Sequence, residues 1–273
     1  MKLDRIYHED CLDGMKRIPD GSVDMILTDP PYGTTNNQWD RRLPFEPLWA
    51  QYLRICKENA AIVLFGQNPF AAELIMSQPK LFRYEWIWEK PIAVGFFNAN
   101  KMPLRAHEMI LVFYRRLPTY NPQWGKGKPY RMMQARSLGG CYNFGAPRVE
   151  TISDGRRYPR DVLKGHVMRG FGFNTVHPTQ KPVEILEYLI RTYTNEGELV
   201  LDNCMGSGST AVACINTNRH YIGYETEAEY VEIAKQRIEE ANECLIGQRN
   251  MQNLFSGDES RWGEQNIYAV KGT

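Results

Sequence analysis

The sequence predicts an α/β chain: a doubly wound, mostly parallel sheet with one inserted segment. Three observations carry that expectation. Short, nearly continuous apolar runs bounded by Asp, Gly or Pro recur along the chain, as in strands covered on both faces. Amphipathic stripes at helical spacing fall between them, and alternation of that kind implies a parallel sheet covered by helices. Between Arg115 and Gly170 the alternation breaks, which marks the insertion.

In chain order, the expected strands are Val23–Thr28, Ala60–Phe65, Tyr84–Trp88, Met109–Tyr114, Leu199–Leu201 and His220–Tyr224. One helix places Val183, Leu186, Ile190 and Tyr193 on a single face, with Glu184, Glu187 and Arg191 opposite. A second carries the stripe Tyr230, Ile233, Ala234 and Ile238. Residues 1–114 and 171–243 are expected to form one body, 115–170 an insertion, and 244–273 a polar peripheral tail.

Of 273 residues, 42% are apolar and 24% charged, an ordinary globular composition that can form a sizeable core. The net charge of +1 excludes a globally basic, histone-like protein and a disordered acidic chain. No apolar run approaches the ~18 residues of a membrane span. The start, MKLDRIYHEDCLDG, shows neither an apolar h-region nor a small-residue cleavage site, so no signal peptide is expected. Six cysteines are scattered with no Cys-x-x-Cys pair, which favours reduced thiols in the cytoplasm and no metal site.

The balanced charge hides an asymmetry. Residues 115–170 hold nine Arg and three Lys against three acids, a net +9 that leaves −8 on the rest. The same segment contains eight Gly, five Pro and a set of aromatics including Tyr120, Trp124, Tyr130, Tyr142, Phe144 and Tyr158. Cations for phosphates and rings for bases suit a nucleic-acid surface. The same composition also suits a solvated, loop-rich insertion that balances an acidic body.

Two motifs carry the chemistry. The first, Asp29-Pro30-Pro31-Tyr32, directly follows an apolar strand, and ligands in open parallel sheets gather beyond the strands' carboxyl ends. The prolines stiffen the exit and remove local amide donors. The Asp29 carboxylate and the Pro30 carbonyl then form a two-acceptor clamp for a group with two N–H donors, and Tyr32 can lie against a flat heterocycle. An sp² amine is a poor nucleophile until its lone pair is drawn out of conjugation, and such a clamp can do that. The plainer reading is a tight turn, since Asp-Pro is a common turn former.

The second motif runs from Asp202 to Thr210, a strand followed by a Gly-rich turn into a helix. Gly206 and Gly208 permit close backbone approach to a ligand. Glu225 ends the next strand, placed to hold ribose hydroxyls. No Gly-Lys-Ser/Thr follows, so this is not a P-loop. A strand-to-helix turn packed through Gly is the structural alternative. Lys181, beside Pro182 at a helix start, stands where cations are disfavoured, which suggests that it faces an anion such as a ligand carboxylate.

Together these segments resemble the S-adenosylmethionine-dependent amino-methyltransferases of DNA. Asp29 to Tyr32 looks like that family's catalytic motif and Asp202 to Thr210 like its methionine-binding loop. His177 to Pro182 looks like the segment the family carries just before that loop. The order of catalytic motif, basic variable region and Gly loop is similar to the beta class, whose target-recognition region lies in the middle. Weaker echoes are Asp10-Cys11, Trp39-Asp40, Trp88-x-Lys90 and His107-Glu108. Asn203 and Cys204 depart from the Pro and aromatic usual after the Asp, and Ser209 stands where Thr is common.

The resemblance implies a Rossmann-like methyltransferase fold and in-line transfer of a methyl group to adenine N6 of a flipped base. Catalysis falls to Asp29, Pro30, Pro31 and Tyr32. Cofactor contact falls to Asp10, Cys11, Asp29, Lys181, Asp202, Asn203, Cys204, Gly206, Ser207, Gly208, Ser209, Thr210 and Glu225. Arg131, Arg136, Arg148, Arg156, Arg157 and Arg160 are the expected contacts to double-stranded DNA. Asp in the first motif position favours adenine N6 over cytosine N4. Cytosine N4 and RNA adenine remain the alternative targets. A nicotinamide dehydrogenase would leave Asp29 to Tyr32 idle, and a non-catalytic DNA-binding module would not need them. A cytoplasmic, nucleoid-associated enzyme is expected, with a homodimer and a restriction-endonuclease partner left open.

Overall fold

A computed structural model describes residues 1–34, 40–135, 148–164 and 180–256. In chain order the body begins with β1 (Arg5–His8), α1 (Cys11–Met15), β2 (Val23–Thr28), α2 (Phe45–Ile55), β3 (Cys56–Gly66), α3 (Phe70–Ser77), β4 (Phe82–Val94) and β5 (Arg105–Phe113). The middle segment contributes β6 (Gly125–Lys126), β7 (Tyr130–Ala135), β8 (Arg148–Ser153), β9 (Arg156–Arg157) and β10 (Val162–Lys164). The body closes with α4 (Val183–Tyr193), β11 (Leu199–Asp202), α5 (Ser209–Asn216), β12 (His220–Glu225) and α6 (Ala228–Ser256).

Eight strands form one sheet in the order β1-β12-β11-β2-β3-β5-β4-β10. Pairing is parallel except where β5 meets β3 and β4. The apolar strands alternate between two cores. Ile26, Ile62 and Leu64 face α1, α2 and α3, whereas Met25, Leu27, Ala61 and Val63 face α4 and α5. Helices therefore cover both faces, as a doubly wound sheet requires.

The helices form where apolar residues recur at the helical period. In α2 the buried residues are Leu48, Trp49, Tyr52 and Ile55. In α4 they include Ile185, Leu186, Leu189, Ile190 and Tyr193. Val183, expected in that stripe, is only partly buried. In α6 the stripe is centred on Val231 and Ala234, with Tyr230, Ile233 and Ile238 half-buried. That helix continues past Glu243 to Ser256, into the region expected to be a tail.

β4 extends to 13 residues and β5 begins at Arg105, both longer than expected. Their outer halves rise clear of the cores and are largely exposed, so no continuous apolar run marks them. In the middle segment, β7–β8 and β6–β9 form two antiparallel ribbons. β10 joins the main sheet, pairing Leu163 with Trp88. Asn121 also ties this segment to the body, donating to the carbonyls of Arg191 and Thr194.

β2 and β11 are neighbours, with Leu201 opposite Ile26, and from this pair the chain winds outward in both directions. That is the switch point of the sheet, where loops at the strands' carboxyl ends part to leave a crevice. Both motifs exit there. Among the described residues, no helix is long and apolar enough to cross a membrane, and no group of His, Cys, Asp and Glu is placed to hold a metal ion.

Candidate active site

The carboxyl ends of β1, β12, β11 and β2 open onto a cleft of about 940 Å³. Asp29, Pro30, Pro31 and Tyr32 line one wall; Asp202 to Ser207, Ser209 and Thr210 line another, with Glu225, Asp10 and Cys11 beside them. Residues 173 positions apart in sequence, Asp29 and Asp202, thus share one site because their strands are adjacent.

Asp29 lies within a charged cluster. Lys181 Nζ donates to Asp29 Oδ2 at 2.5 Å and lies 3.0 Å from Glu108 Oε1. Lys90 Nζ pairs with Glu108 Oε2 at 2.8 Å. The Tyr32 hydroxyl is 2.6 Å from Asp29 Oδ1 and 2.8 Å from Glu108 Oε1. One phenolic proton serves both oxygens. Each Asp29 oxygen accepts one bond here and keeps a second lone pair for a ligand.

Burial raises the Asp29 carboxyl above its usual range, and Glu108 adds to this against the pull of Lys181. Glu108 is buried too, but Lys181 and Lys90 together outweigh that and hold it at about 2. Burial would lower the Lys181 ammonium, yet the two carboxylates raise it, so it stays charged. The pair of carboxylates therefore divides its roles: Glu108 is a fixed anion, and Asp29 has the greater proton affinity.

The anions that Lys181 meets belong to the protein, which explains a cation just before α4 without a ligand carboxylate. Sequence reasoning named Lys90 and Glu108 only within weaker echoes of the family and gave neither a role in the site. The available signal was an acid entering the apolar run of β5, where burial demands a partner. The Tyr32 ring stacks on Phe70 at 5.1 Å, and Arg42 Nε holds the Tyr32 carbonyl at 2.7 Å. Asp40 grips the following loop by accepting from the amides of Gly33 and Thr34, each at 2.8 Å.

The Gly loop is braced from three sides. Asp202 accepts from the Cys204 amide at 3.0 Å and the Thr210 hydroxyl at 2.6 Å. Burial nevertheless raises its carboxyl to about 6. Glu225 accepts from the amides of Gly206, Thr226 and Glu227. Arg237 of α6, not foreseen, donates to the Ser207 carbonyl at 2.5 Å and lies within reach of both serine hydroxyls. Asn203 turns inward, its amide oxygen accepting from buried Tyr52 at 2.5 Å, so a hydrogen-bonded pair fills the place next to the acid. Cys11 is a buried neutral thiol whose pKa burial raises to about 11.

The two loop glycines differ. Gly206 has φ +52°, and a Cβ there would meet no atom within 4 Å. Gly208 has φ +81°, and its Cβ would lie 2.8 Å from that of Ala234. Gly208 is not among the residues lining the cleft, and its missing side chain lets α6 pack closely. Gly208→Ala should therefore lower stability by roughly 1–3 kcal/mol, with each kcal/mol worth about 2–4 °C in Tm. Gly206→Ala should cost about 1–2 kcal/mol through backbone conformation alone and affect ligand affinity more. Thermal unfolding alongside ligand titration checks this. Equal Tm losses with equal affinity losses would refute the distinction.

The arginines nominated for DNA lie elsewhere. Arg131 is exposed and pairs with Glu150, and Arg156 pairs with Asp154 and lies over the Trp124 ring. Arg157 lies over Tyr130 and donates to the Lys128 carbonyl and the Ser153 hydroxyl, which commits it to the local fold. Arg160 is exposed. None of these four lines the cleft, whereas Arg41 and Arg105 do. Arg136, Trp39, Tyr142, Phe144 and His177 lie outside the described residues, as does the Arg148 side chain.

The crevice at the switch point of the sheet thus sets an Asp-Pro-Pro-Tyr corner and a Gly-turn loop in one cleft. The chain belongs to the DNA methylase family of N6 and N4 methyltransferases, whose model matches residues 23–236. It is 27% identical over 266 residues to the type II methyltransferase M2.MboI of Moraxella bovis, covering 88% of this chain and 89% of that one. The type II methyltransferase M.BglII of Bacillus subtilis is 31% identical over 256 residues, covering 86% and 68%. Among solved structures, the M1.HpyAVI–SAM complex aligns with a TM-score of 0.57 and 25% identity, over 85% of this chain and 98% of that one. The cytosine-N4-specific PvuII DNA methyltransferase aligns at 0.60 and 16% identity, over 87% and 89%, a likeness of fold.

Proposed function

We propose that this chain transfers a methyl group from S-adenosylmethionine to the exocyclic N6 of adenine in double-stranded DNA. The observation that carries the reading is the Asp29–Tyr32 corner with spare acceptor capacity, opening onto the cleft it shares with the Gly loop. The cleft suits a nucleoside cofactor. Gly206 leaves open space before the loop, and the indole N–H of Trp88 and the amide oxygen of Gln180, both on the cleft wall, have no hydrogen-bond partner among the described residues. Asp10, Cys11, Glu225 and the loop from Asp202 to Thr210 would hold it. When bound, it supplies a methyl group made electrophilic by a sulfonium.

The chain's own residues act on the amine. Base flipping brings an adenine into the cleft. Asp29 and the Pro30 carbonyl accept its two N–H bonds and direct the nitrogen lone pair away from the ring. The bound cofactor would supply the methyl carbon and keep the electron pair of the bond to sulfur, so the chain needs only to present the amine nitrogen in line with it. The nitrogen is then cationic and sheds one proton, for which the raised Asp29 carboxylate is the acceptor in reach. Lys181, Glu108 and Tyr32 keep Asp29 in place throughout, so the contribution is positioning and electrostatic preorganisation. Asp rather than Ser at the first motif position supports adenine over cytosine.

Sequencing of base modifications in DNA from cells expressing the chain tests this. N6-methyladenine at one recurring short sequence is expected. N4-methylcytosine would move the assignment to the other branch of the family, and unmodified DNA would contradict it.

Residues 115–170 are proposed as the target-recognition region. Arg156 and Arg160 are exposed and are the cations there to test, since Arg157 is committed to the fold. If both meet phosphate, the double Ala variant should flatten the slope of log affinity against log salt by about 1.8. If they read bases, sequence preference should relax with less change in slope. DNA affinity across a salt series decides. Superimposable curves with unchanged preference would remove both from the interface.

A further inference from the structure

The cleft described above has an outer wall that the methyl-transfer chemistry does not use. β4 and β5 run from the core past the cleft and end in a protruding hairpin. Val94 and Arg105 pair across the two strands, and both line the cleft. Everything from Gly95 to Leu104 therefore lies beyond the cleft's rim, at the tip. There Phe96 is 78% exposed and Phe97 is 102% exposed, with Met102 and Leu104 exposed beside them. Leaving two adjacent phenylalanines largely in water is costly, and large apolar side chains exposed together mark an interaction site.

Charge selects the partner. From Lys90 to His107 the chain has no Asp or Glu, although the body outside residues 115–170 is net negative. Lys90 is committed to Glu108, and Lys101 and Arg105 stand on the flanks of the apolar tip. An apolar point with cationic shoulders, at the mouth of a site that must receive a base, fits the interior of a duplex bordered by phosphates. Proteins that unstack duplex steps insert apolar side chains of this kind.

We infer that the Phe96-Phe97 tip is a wedge that enters double-stranded DNA beside the target and fills the space vacated by the flipped base. The inference rests on the reading that duplex DNA is the substrate. The wedge is joined to the cleft wall through β4 and β5, which pair Trp88 with Glu108 there and, past a shift in register after Glu89, Val94 with Arg105 at its base. Gly95, at φ +95°, makes the corner that carries the chain into the tip.

The test is Phe96→Ala with Phe97→Ala in the full chain. Both residues are solvent-exposed, and unchanged S-adenosylmethionine affinity serves as the check on folding. Two probes are used, each built on the site mapped by sequencing: a matched duplex, and the same duplex with a mismatched base opposite the target. Single-turnover methylation of the matched duplex should fall about tenfold or more, because unstacking is no longer offset by the inserted rings. The mismatched duplex, whose target is already loosely stacked, should recover most of that loss. Fluorescence of 2-aminopurine at the target position should rise on binding to wild type and stay low with the variant. Equal losses on both duplexes, or no loss on either, would overturn the wedge. So would conversion of a dimer to a monomer with flipping intact, which would assign this face to a second copy of the chain. If wild type leaves duplex DNA unmethylated, the functional reading fails and the wedge with it. If wild type methylates and the variant matches it, the wedge alone fails.

Discussion

Asp29→Ala is expected to cut single-turnover methyl transfer by at least about 10²–10³-fold, while S-adenosylmethionine binds with little change. Asp29 is the acidic acceptor just past the end of β2; it lines the cleft, and each of its oxygens accepts one hydrogen bond from the protein and so has capacity for another. Removing it takes away the amine's anchor and its proton acceptor together. Lys181 keeps Glu108 as a partner at 3.0 Å, so the cluster should not collapse. Asp29→Asn should also fail, because it exchanges one acceptor for an amide donor aimed at the amine. Equilibrium binding and single-turnover rate, measured on the same preparation, check this. Near-normal turnover in Asp29→Ala would overturn the assigned role.

Glu225→Ala should weaken S-adenosylmethionine binding by about 10²-fold or more. Hydrogen bonds to a charged group are worth roughly 1.5–3 kcal/mol each, and this carboxylate organises several. In the structure it accepts from Gly206 N at 2.8 Å and from the Thr226 and Glu227 amides. Its loss would free the turn that shapes the cleft and remove the acceptor proposed for ribose hydroxyls. Glu225→Gln keeps one carbonyl oxygen for the Gly206 amide but weakens ribose contact, so its affinity should fall between wild type and Ala. Calorimetric titration of all three decides. Unchanged affinity in the Ala variant would mean that the cofactor loop has been misassigned.

The sheet's centre was legible because its strands are buried on both faces. Val23–Thr28 is predicted and observed with the same bounds, since every residue but Asp24 is buried. The outer hairpin was not legible: the far ends of β4 and β5 touch no core, so no apolar periodicity marks them. Among the described side chains of the middle segment's short ribbons none is buried, and they left no signal of strand either. Within the site, Asp29, Tyr32, the Asp202 turn and Glu225 could be found because their chemistry sits in local motifs. Glu108 and Lys90 reach the same cleft, and Arg237 the Gly loop, from distant elements, and only the packing of β5, β4 and α6 brings them there. At Gly208 the spacing of a ligand loop was legible, but the close packing of Ala234 against it was not.

The most direct measurement offers purified protein methyl-labelled S-adenosylmethionine together with duplex DNA carrying the mapped site, and digests the product to nucleosides. The account predicts label in N6-methyldeoxyadenosine from wild type and none from Asp29→Ala. Cofactor bound by wild type with no label in any DNA base, or with label appearing in an RNA competitor instead, would contradict it.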